Sequence, residues 1–60
     1  MKHEPITDVL RSEGPLDASE IAERIGIGLT AALMELRVLR KEGKIRFVET
    51  GAFKAYEVVE

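Results

Sequence analysis

The stretch Leu29-Thr-Ala-Ala-Leu-Met-Glu-Leu-Arg-Val-Leu-Arg-Lys-Glu42, followed by Gly43, decides the fold of this chain. Its apolar residues recur at three- and four-residue spacing, which is the period of one face of an α-helix. These residues are Leu29, Ala32, Leu33, Leu36 and Leu39. We therefore predict a helix over 29–42 whose apolar face belongs to a core. A second stripe lies on another face and is available to a partner; it consists of Thr30, Met34, Arg37 and Lys41.

A shorter helix precedes this one, over 17–25. Asp17 can accept an N–H group at the helix start, and Glu20 can reach back to complete a capping box. The connection Gly26-Ile27-Gly28 places backbone freedom on both sides of one apolar residue, which we expect to anchor in the core. This is the spacing of a helix-turn-helix.

The chain begins with a further amphipathic helix, predicted over 5–13. Pro5 suits the first helical turn, and Ile6, Val9 and Leu10 share one face. The run Glu13-Gly14-Pro15 then ends the pattern. Residues 1–4 are predicted to be a frayed lead-in that leaves His3, the single histidine, exposed.

After Gly43, alternating apolar and polar residues predict a β-hairpin over 44–59 with a turn at Thr50-Gly51. Phe47 and Phe53 are expected to join its core, and Tyr56 to pack its ring. A two-stranded hairpin is only marginally stable by itself, so its apolar side must lie on the helices. The sequence thus predicts one α+β domain over 1–60, a three-helix bundle with a helix-turn-helix and a C-terminal two- or three-stranded β-hairpin.

Composition limits what such a chain does. Sixty residues hold one small core, and the absence of Cys removes disulfides, thiolate metal ligands and a cysteine nucleophile. The apolar runs are too short for a membrane span and no secretory leader is recognisable, so we expect a cytoplasmic protein. No residues combine as nucleophile, base and oxyanion site, and no metal-ligand or phosphate-loop spacing occurs. We therefore predict no enzyme activity, no metal and no cofactor.

The net charge of −2 is unevenly distributed along the chain. Residues 1–36 carry −4, whereas residues 37–54 carry +4 from six cations and two acids. The six cations are Arg37, Arg40, Lys41, Lys44, Arg46 and Lys54. Surface charges act over roughly 10 Å at ordinary salt, so such a patch can attract a polyanion although the whole molecule is acidic. The alternative is that these charges only solvate the helix and the hairpin.

The order of three helices, a glycine turn and a hairpin resembles the winged helix-turn-helix family over residues 5–59. Two segments carry the resemblance: Pro15-Leu-Asp-Ala-Ser-Glu-Ile-Ala22 at the start of the second helix, and Leu36-x-x-Leu39-x-x-x-Gly43-x-Ile45 at the end of the third. Members of this family commonly bind duplex DNA, with the third helix in the major groove and the hairpin, called the wing, on the backbone or in the minor groove. The resemblance therefore implies DNA as the partner and a role as a small transcriptional regulator.

Carried over by position, the resemblance places five residues of the third helix toward the groove: Thr30, Ala31, Leu33, Met34 and Arg37. The DNA-binding residues that it implies are Thr30, Met34, Arg37, Arg40, Lys41, Lys44, Arg46 and Lys54, with Thr50 also on the wing. Base-reading helices of the family tend to offer Ser, Gln, Asn or Arg, whereas here only Thr30 and Arg37 can hydrogen-bond a base edge. One bidentate arginine discriminates between bases by about 1–3 kcal/mol, so modest sequence specificity is expected.

The subfamily that binds left-handed DNA is similar in size and in its Lys-x-Gly-Lys exit, which corresponds to Lys41-Glu42-Gly43-Lys44. Its helix Asn and Tyr fall on Leu33 and Arg37 of this sequence, and its Pro-Trp wing contact is absent. The resemblance to the wider family is therefore the better one.

The outward residues Ala31, Met34 and Val38 favour a different function. An exposed apolar strip on a small domain is typical of a surface that meets a partner or a second copy of the chain. The alternative prediction is therefore a winged helix that serves as a protein-interaction or dimerisation module without binding DNA.

Overall fold

The structure is a computed structural model that describes residues 5–59. Three α-helices come first: α1 (Pro5–Glu13), α2 (Ala18–Ile25) and α3 (Leu29–Lys41). Two antiparallel strands follow, β1 (Ile45–Thr50) and β2 (Phe53–Val58). This order confirms the predicted α+β fold. The expectations for residues 1–4, including His3, and for residue 60 lie outside the described residues.

Both ends of α2 are fixed by residues that the sequence indicated. Asp17 Oδ1 accepts a hydrogen bond from the Glu20 N–H group at 2.8 Å, which confirms the predicted N-cap. At the other end Gly26 is left-handed, with φ 75°, and its N–H group and that of Ile27 both donate to the Ala22 carbonyl. An L side chain is strained in this conformation, so glycine ends the helix and turns the chain toward α3.

The helix α3 ends at Lys41, one residue before the predicted end, because Glu42 is already its C-cap. Gly43 then takes φ 78°, and the Lys44 N–H group donates to the Leu39 carbonyl at 2.9 Å. This Schellman arrangement satisfies a carbonyl at the helix end and leads the chain directly into β1.

Leu16, which lies between α1 and α2, connects the hairpin to the helix-turn-helix by backbone hydrogen bonds. Its N–H group donates to the Tyr56 carbonyl at 3.1 Å, and its carbonyl accepts from the Tyr56 N–H group at 2.7 Å. The sheet therefore consists of two strands, paired from Ile45 opposite Val58 to Thr50 opposite Phe53, and one additional bridge at Leu16.

All three helices and β1 contribute to one apolar core. Its buried residues are Ile6, Leu10, Leu16, Ile21, Leu36, Leu39 and Ile45, with Tyr56 and Val58 of β2 packed against them. The helix α3 meets this core along a narrow stripe, Ala32, Leu36 and Leu39. The rest of its circumference is left to solvent.

The prediction that Leu29, Leu33 and Ile27 belong to the core was wrong. Leu29 is 49% exposed, Leu33 is 44% exposed and Ile27 is 37% exposed. Leu33 lies about 60° around the helix from Leu36, and Leu29 is the first helical residue, so both lie at the margin of the buried stripe. Ile27 sits in the turn itself, outside both helices.

The prediction that Phe47 and Phe53 belong to the hairpin core was also wrong. Phe53 is 58% exposed and Phe47 is 36% exposed, whereas the small Ala55 is completely buried. Phe53 follows the turn, at the end of the hairpin remote from Ile45. Strands rise about 3.3 Å per residue, so this end extends beyond the helices that cover Ile45.

Candidate nucleic-acid interface

The exposed face of α3 carries the stripe that the sequence indicated. Thr30, Met34, Arg37 and Lys41 are all exposed, on the side of the helix away from the buried stripe. Arg40 is exposed as well. The helix thus has one face in the core and one face in solvent, and the solvent face presents two arginines and a lysine in its last two turns.

Three of the six cations of residues 37–54 are paired with carboxylates. Lys44 Nζ lies 3.6 Å from Glu42, and Lys54 Nζ lies 4.0 Å from Glu49. Arg46 is bound through Nε and Nη2 to one oxygen of Glu57. These pairs reduce the net positive charge that the wing presents.

The other three cations, Arg37, Arg40 and Lys41, have no carboxylate partner within residues 5–59. The cations of the first half of the chain are paired, because Arg11 lies 3.6 Å from Asp8 and Arg24 donates to Glu13 at 2.9 Å. Across the described part of the chain, unpaired positive charge is therefore confined to the end of α3.

Arg24, unlike the three unpaired cations of α3, is bound to a carboxylate of the same chain. Its Nε–H group donates to Glu13 Oε1, and this hydrogen bond, followed by the charge of the same carboxylate, raises the pKa of Arg24 above its ordinary value. A raised pKa in the folded state favours folding at any pH below the ordinary value for arginine. Arg24 therefore stays charged and bound to Glu13, and it links α1 to α2 instead of serving a partner.

Arg40 is held at the junction between α3 and the hairpin by an aromatic ring. Its guanidinium carbon lies 5.6 Å from the centre of the Phe47 ring, which is within the range of a cation–π interaction. The Phe47 ring in turn packs against the Tyr56 ring with centres 5.1 Å apart. Sequence reasoning placed Phe47 in the hairpin core and missed its contact with Arg40, because no local pattern shows which strand residue faces the end of a helix.

The register of the hairpin separates its two basic side chains. Phe47 lies opposite Tyr56, and Arg46 lies opposite Glu57. Successive strand residues point to opposite faces, so Arg46 is on the face of the hairpin away from Phe47, and the structure does not bring it to Arg40. Lys54 lies opposite Glu49, on the same face as Phe47. The side chain of Thr50 lies outside the described part of the chain.

The ion pairs of the hairpin follow from its register. The turn lies at Gly51-Ala52 and sets Thr50 opposite Phe53, so Glu49 lies beside Lys54 and Arg46 lies beside Glu57. The predicted turn at Thr50-Gly51 was one residue too early, because Thr50 still pairs with β2. Opposite charges at facing positions attract each other. We predicted that all six cations form one positive patch. In the structure three of them are paired with carboxylates, and the other three form the unpaired group.

A separate apolar feature lies beside the α3 cations. Met34 is 65% exposed, Val38 is 53% exposed, and Ala31 is exposed between them and the helix start. We call these three residues the apolar ridge. Leu33 lies on the other side of Arg37 around the helix.

Within residues 5–59, no group of three or more His, Asp or Glu side chains is arranged to hold a metal ion. Among the helices of that same range, none has both the length and the apolar character that crossing a membrane requires.

Three helices with a glycine turn between the second and third, followed by an antiparallel hairpin, define the winged-helix fold. The crystal structure of the apo form of the Zalpha domain of zebrafish PKZ is similar: it superposes with a TM-score of 0.84 over 93% of this chain and 88% of that chain, at 21% sequence identity. No family model matches the sequence, and no curated protein matches it. At this identity the likeness concerns the fold alone.

Proposed function

We propose that this chain is a single-domain winged helix that binds duplex DNA, with α3 as the helix that enters the groove. The observation that carries the proposal is that, within residues 5–59, unpaired positive charge is confined to Arg37, Arg40 and Lys41, on the solvent face of α3. A phosphate backbone supplies the negative charge that these side chains lack in that range. The fold shared with the Zalpha domain is consistent with this role.

The residues have different roles in the proposed complex. Arg37 and Lys41 lie one helical turn apart and contact phosphates along one strand, while Arg40 is positioned by the Phe47 ring. With Arg37 on a phosphate, Thr30 supplies the hydrogen bond to a base edge, which gives modest sequence specificity. Lys44, Arg46 and Lys54 each already face a carboxylate that offsets their charge, so their contribution is secondary. Met34 provides apolar contact.

We further propose that the protein acts in the cytoplasm as a small transcriptional regulator. It works as a binding module, because the solvent face of α3 presents cations and apolar side chains that a partner can contact.

A salt titration tests the proposal. Each phosphate neutralised lowers log K by about 0.9 per unit of log salt, so three cations give a slope of about −2.7 for a short fluorescent duplex. Arg37→Ala combined with Lys41→Ala should weaken binding and reduce the slope by about 1.8. The matched control, Arg46→Ala combined with Lys54→Ala, removes the same charge from paired positions and should change the slope less. The affinities for a right-handed and a left-handed duplex are measured in the same titration.

A second function is favoured by the exposure of Met34 and Val38. In this alternative, the apolar ridge is the contact surface for a protein partner or for a second copy of the chain. If no duplex binds at low salt, or if binding is indifferent to Arg37 and Lys41, this alternative replaces the DNA-binding proposal. Sedimentation of the wild type beside Met34→Glu and Val38→Glu then shows whether the ridge is a dimer contact.

A further inference from the structure

The apolar ridge is the largest feature of α3 that neither the core nor the charge pattern explains. Met34 and Val38 are the two most exposed large apolar side chains of the helix, at 65% and 53%. With Ala31 they occupy positions i, i+3 and i+7, so they form one continuous line on the helix surface. Met34 also belongs to the second stripe of α3, where it lies between Thr30 and Arg37. The ridge therefore lies directly beside the unpaired cations.

We propose that the apolar ridge recognises the C5-methyl groups of pyrimidines in the major groove, and hence that the protein prefers thymine and 5-methylcytosine. This inference rests on the proposed function, because it names the bases that the same helix reads. The thymine methyl is the apolar group that a base pair presents in the major groove, where other positions present hydrogen-bond donors or acceptors. Side chains that cannot hydrogen-bond leave those polar positions unsatisfied but bury a methyl group favourably.

The dimensions of the ridge fit a short run of base pairs. A helix rises about 1.5 Å per residue, so Ala31 and Val38 are roughly 10 Å apart along the axis, which corresponds to about three base-pair steps. Arg37 and Lys41 flank the ridge on one side, whereas Glu35 borders it on the other side. The phosphates of one strand are therefore contacted through the basic side, and the methyl groups lie under the ridge itself.

Charge favours DNA over a second copy of the chain as the occupant of the ridge. In a symmetric dimer whose α3 helices run antiparallel, the same side of the ridge faces itself, so the unpaired Arg37 and Lys41 of one copy would approach those of the other. No carboxylate within residues 5–59 pairs with these cations to relieve that repulsion. A polyanion neutralises them and covers the ridge in the same contact.

The test compares two duplexes that differ only in methyl groups. Fluorescence anisotropy of the whole chain is measured with an alternating A·T duplex and with the same duplex in which deoxyuridine replaces thymidine. Burial of one methyl group changes a binding constant by about fourfold, so we expect the thymidine duplex to bind about three- to tenfold more tightly. A G·C duplex should gain affinity when its cytosines carry C5-methyl groups.

Met34→Gln keeps the length of the side chain and replaces its apolar end, and it should reduce the thymidine-to-deoxyuridine ratio toward one. The control Val59→Gln makes the same kind of change at an exposed apolar residue outside α3 and should preserve the ratio. The ratio is the informative quantity, since a loss of folded protein weakens both duplexes equally.

The possible failures are distinguishable. Equal affinity of the wild type for the two duplexes, with binding still dependent on salt and on Arg37 and Lys41, overturns the methyl inference and leaves the DNA-binding proposal intact. If Met34→Gln leaves the thymidine-to-deoxyuridine affinity ratio unchanged, the methyl inference is overturned as well. Absence of binding to every duplex overturns both proposals. If the wild type is a dimer and Met34→Gln is a monomer, the apolar ridge is a contact surface between two copies of the chain.

Discussion

At the scale of single residues, the two glycines around Ile27 have different roles. Gly26 has φ 75° and caps α2, whereas Gly28 has φ −70° and ψ 158° and is the N-cap of α3. A Cβ atom at either position meets no other atom within 4 Å, so available space does not distinguish them. Backbone conformation does, because only Gly26 occupies the left-handed region that L residues avoid.

We expect Gly26→Ala to lower the free energy of unfolding by about 1–2 kcal/mol, because alanine is strained in the left-handed conformation. The matched substitution Gly28→Ser should raise it by roughly a few tenths of a kcal/mol, because α3 has no side-chain cap and serine supplies an acceptor. Urea unfolding followed by circular dichroism measures both changes. Equal destabilisation by the two substitutions would contradict the different conformations of the two glycines.

At the scale of elements, Phe47 adds a surface contact between α3 and the hairpin to the buried contact that Ile45 makes in the core. Its ring meets Tyr56 across the sheet and Arg40 near the end of the helix. Arg40 follows Arg37 by three residues and precedes Lys41, so this contact involves one of the three unpaired cations. A packing contact between elements therefore contributes to the geometry of the proposed binding surface.

Phe47→Leu should lower the free energy of unfolding by about 1 kcal/mol, because it removes the aromatic pair and the cation–π contact while it keeps an apolar side chain. Tyr56→Phe is the control, since it retains the ring that Phe47 contacts. Thermal and urea unfolding compare the two variants. If Tyr56→Phe destabilises as strongly as Phe47→Leu, the ring contacts are not the source of the effect.

At the scale of the whole molecule, a folded chain of 60 residues has a small free energy of unfolding. Domains are stable by about 0.05–0.15 kcal/mol per residue, which corresponds to roughly 3–9 kcal/mol here. The core receives residues from α1, α2, α3 and β1, so each buried side chain supports several elements at once. The solvent face of α3 contributes no side chain to this core, so its residues are free to carry charge and to contact a partner.

Two identical substitutions on α3 should therefore have very different effects. Leu36 is 1% exposed and Leu33 is 44% exposed. Leu36→Ala leaves a cavity in the core and should lower the free energy of unfolding by about 2–5 kcal/mol, a large part of the total. Leu33→Ala should lower it by less than about 1 kcal/mol, since its side chain is already half in water. Similar midpoints of urea unfolding for the two variants would contradict the burial pattern of α3.

The sequence by itself determined the elements and most of their ends. Asp17, Gly26 and Gly43 are caps whose effect depends on the residues immediately around them, and the apolar periods of α1 and α3 are equally local. The order of the elements then determined the winged-helix fold. The uneven distribution of charge was also visible, because it is a property of the chain and not of its packing.

Only the tertiary structure decided which parts of these elements face the core and which face solvent. Leu33 and Leu36 belong to the same apolar period, but only Leu36 is covered by other elements. Phe47 lies beside Arg40 because β1 returns to the end of α3. Which cations remain unpaired depends on the register of the hairpin, which sets Arg46 beside Glu57 and Lys54 beside Glu49. A local pattern does not specify such contacts, since burial and pairing are fixed when the separate elements pack together.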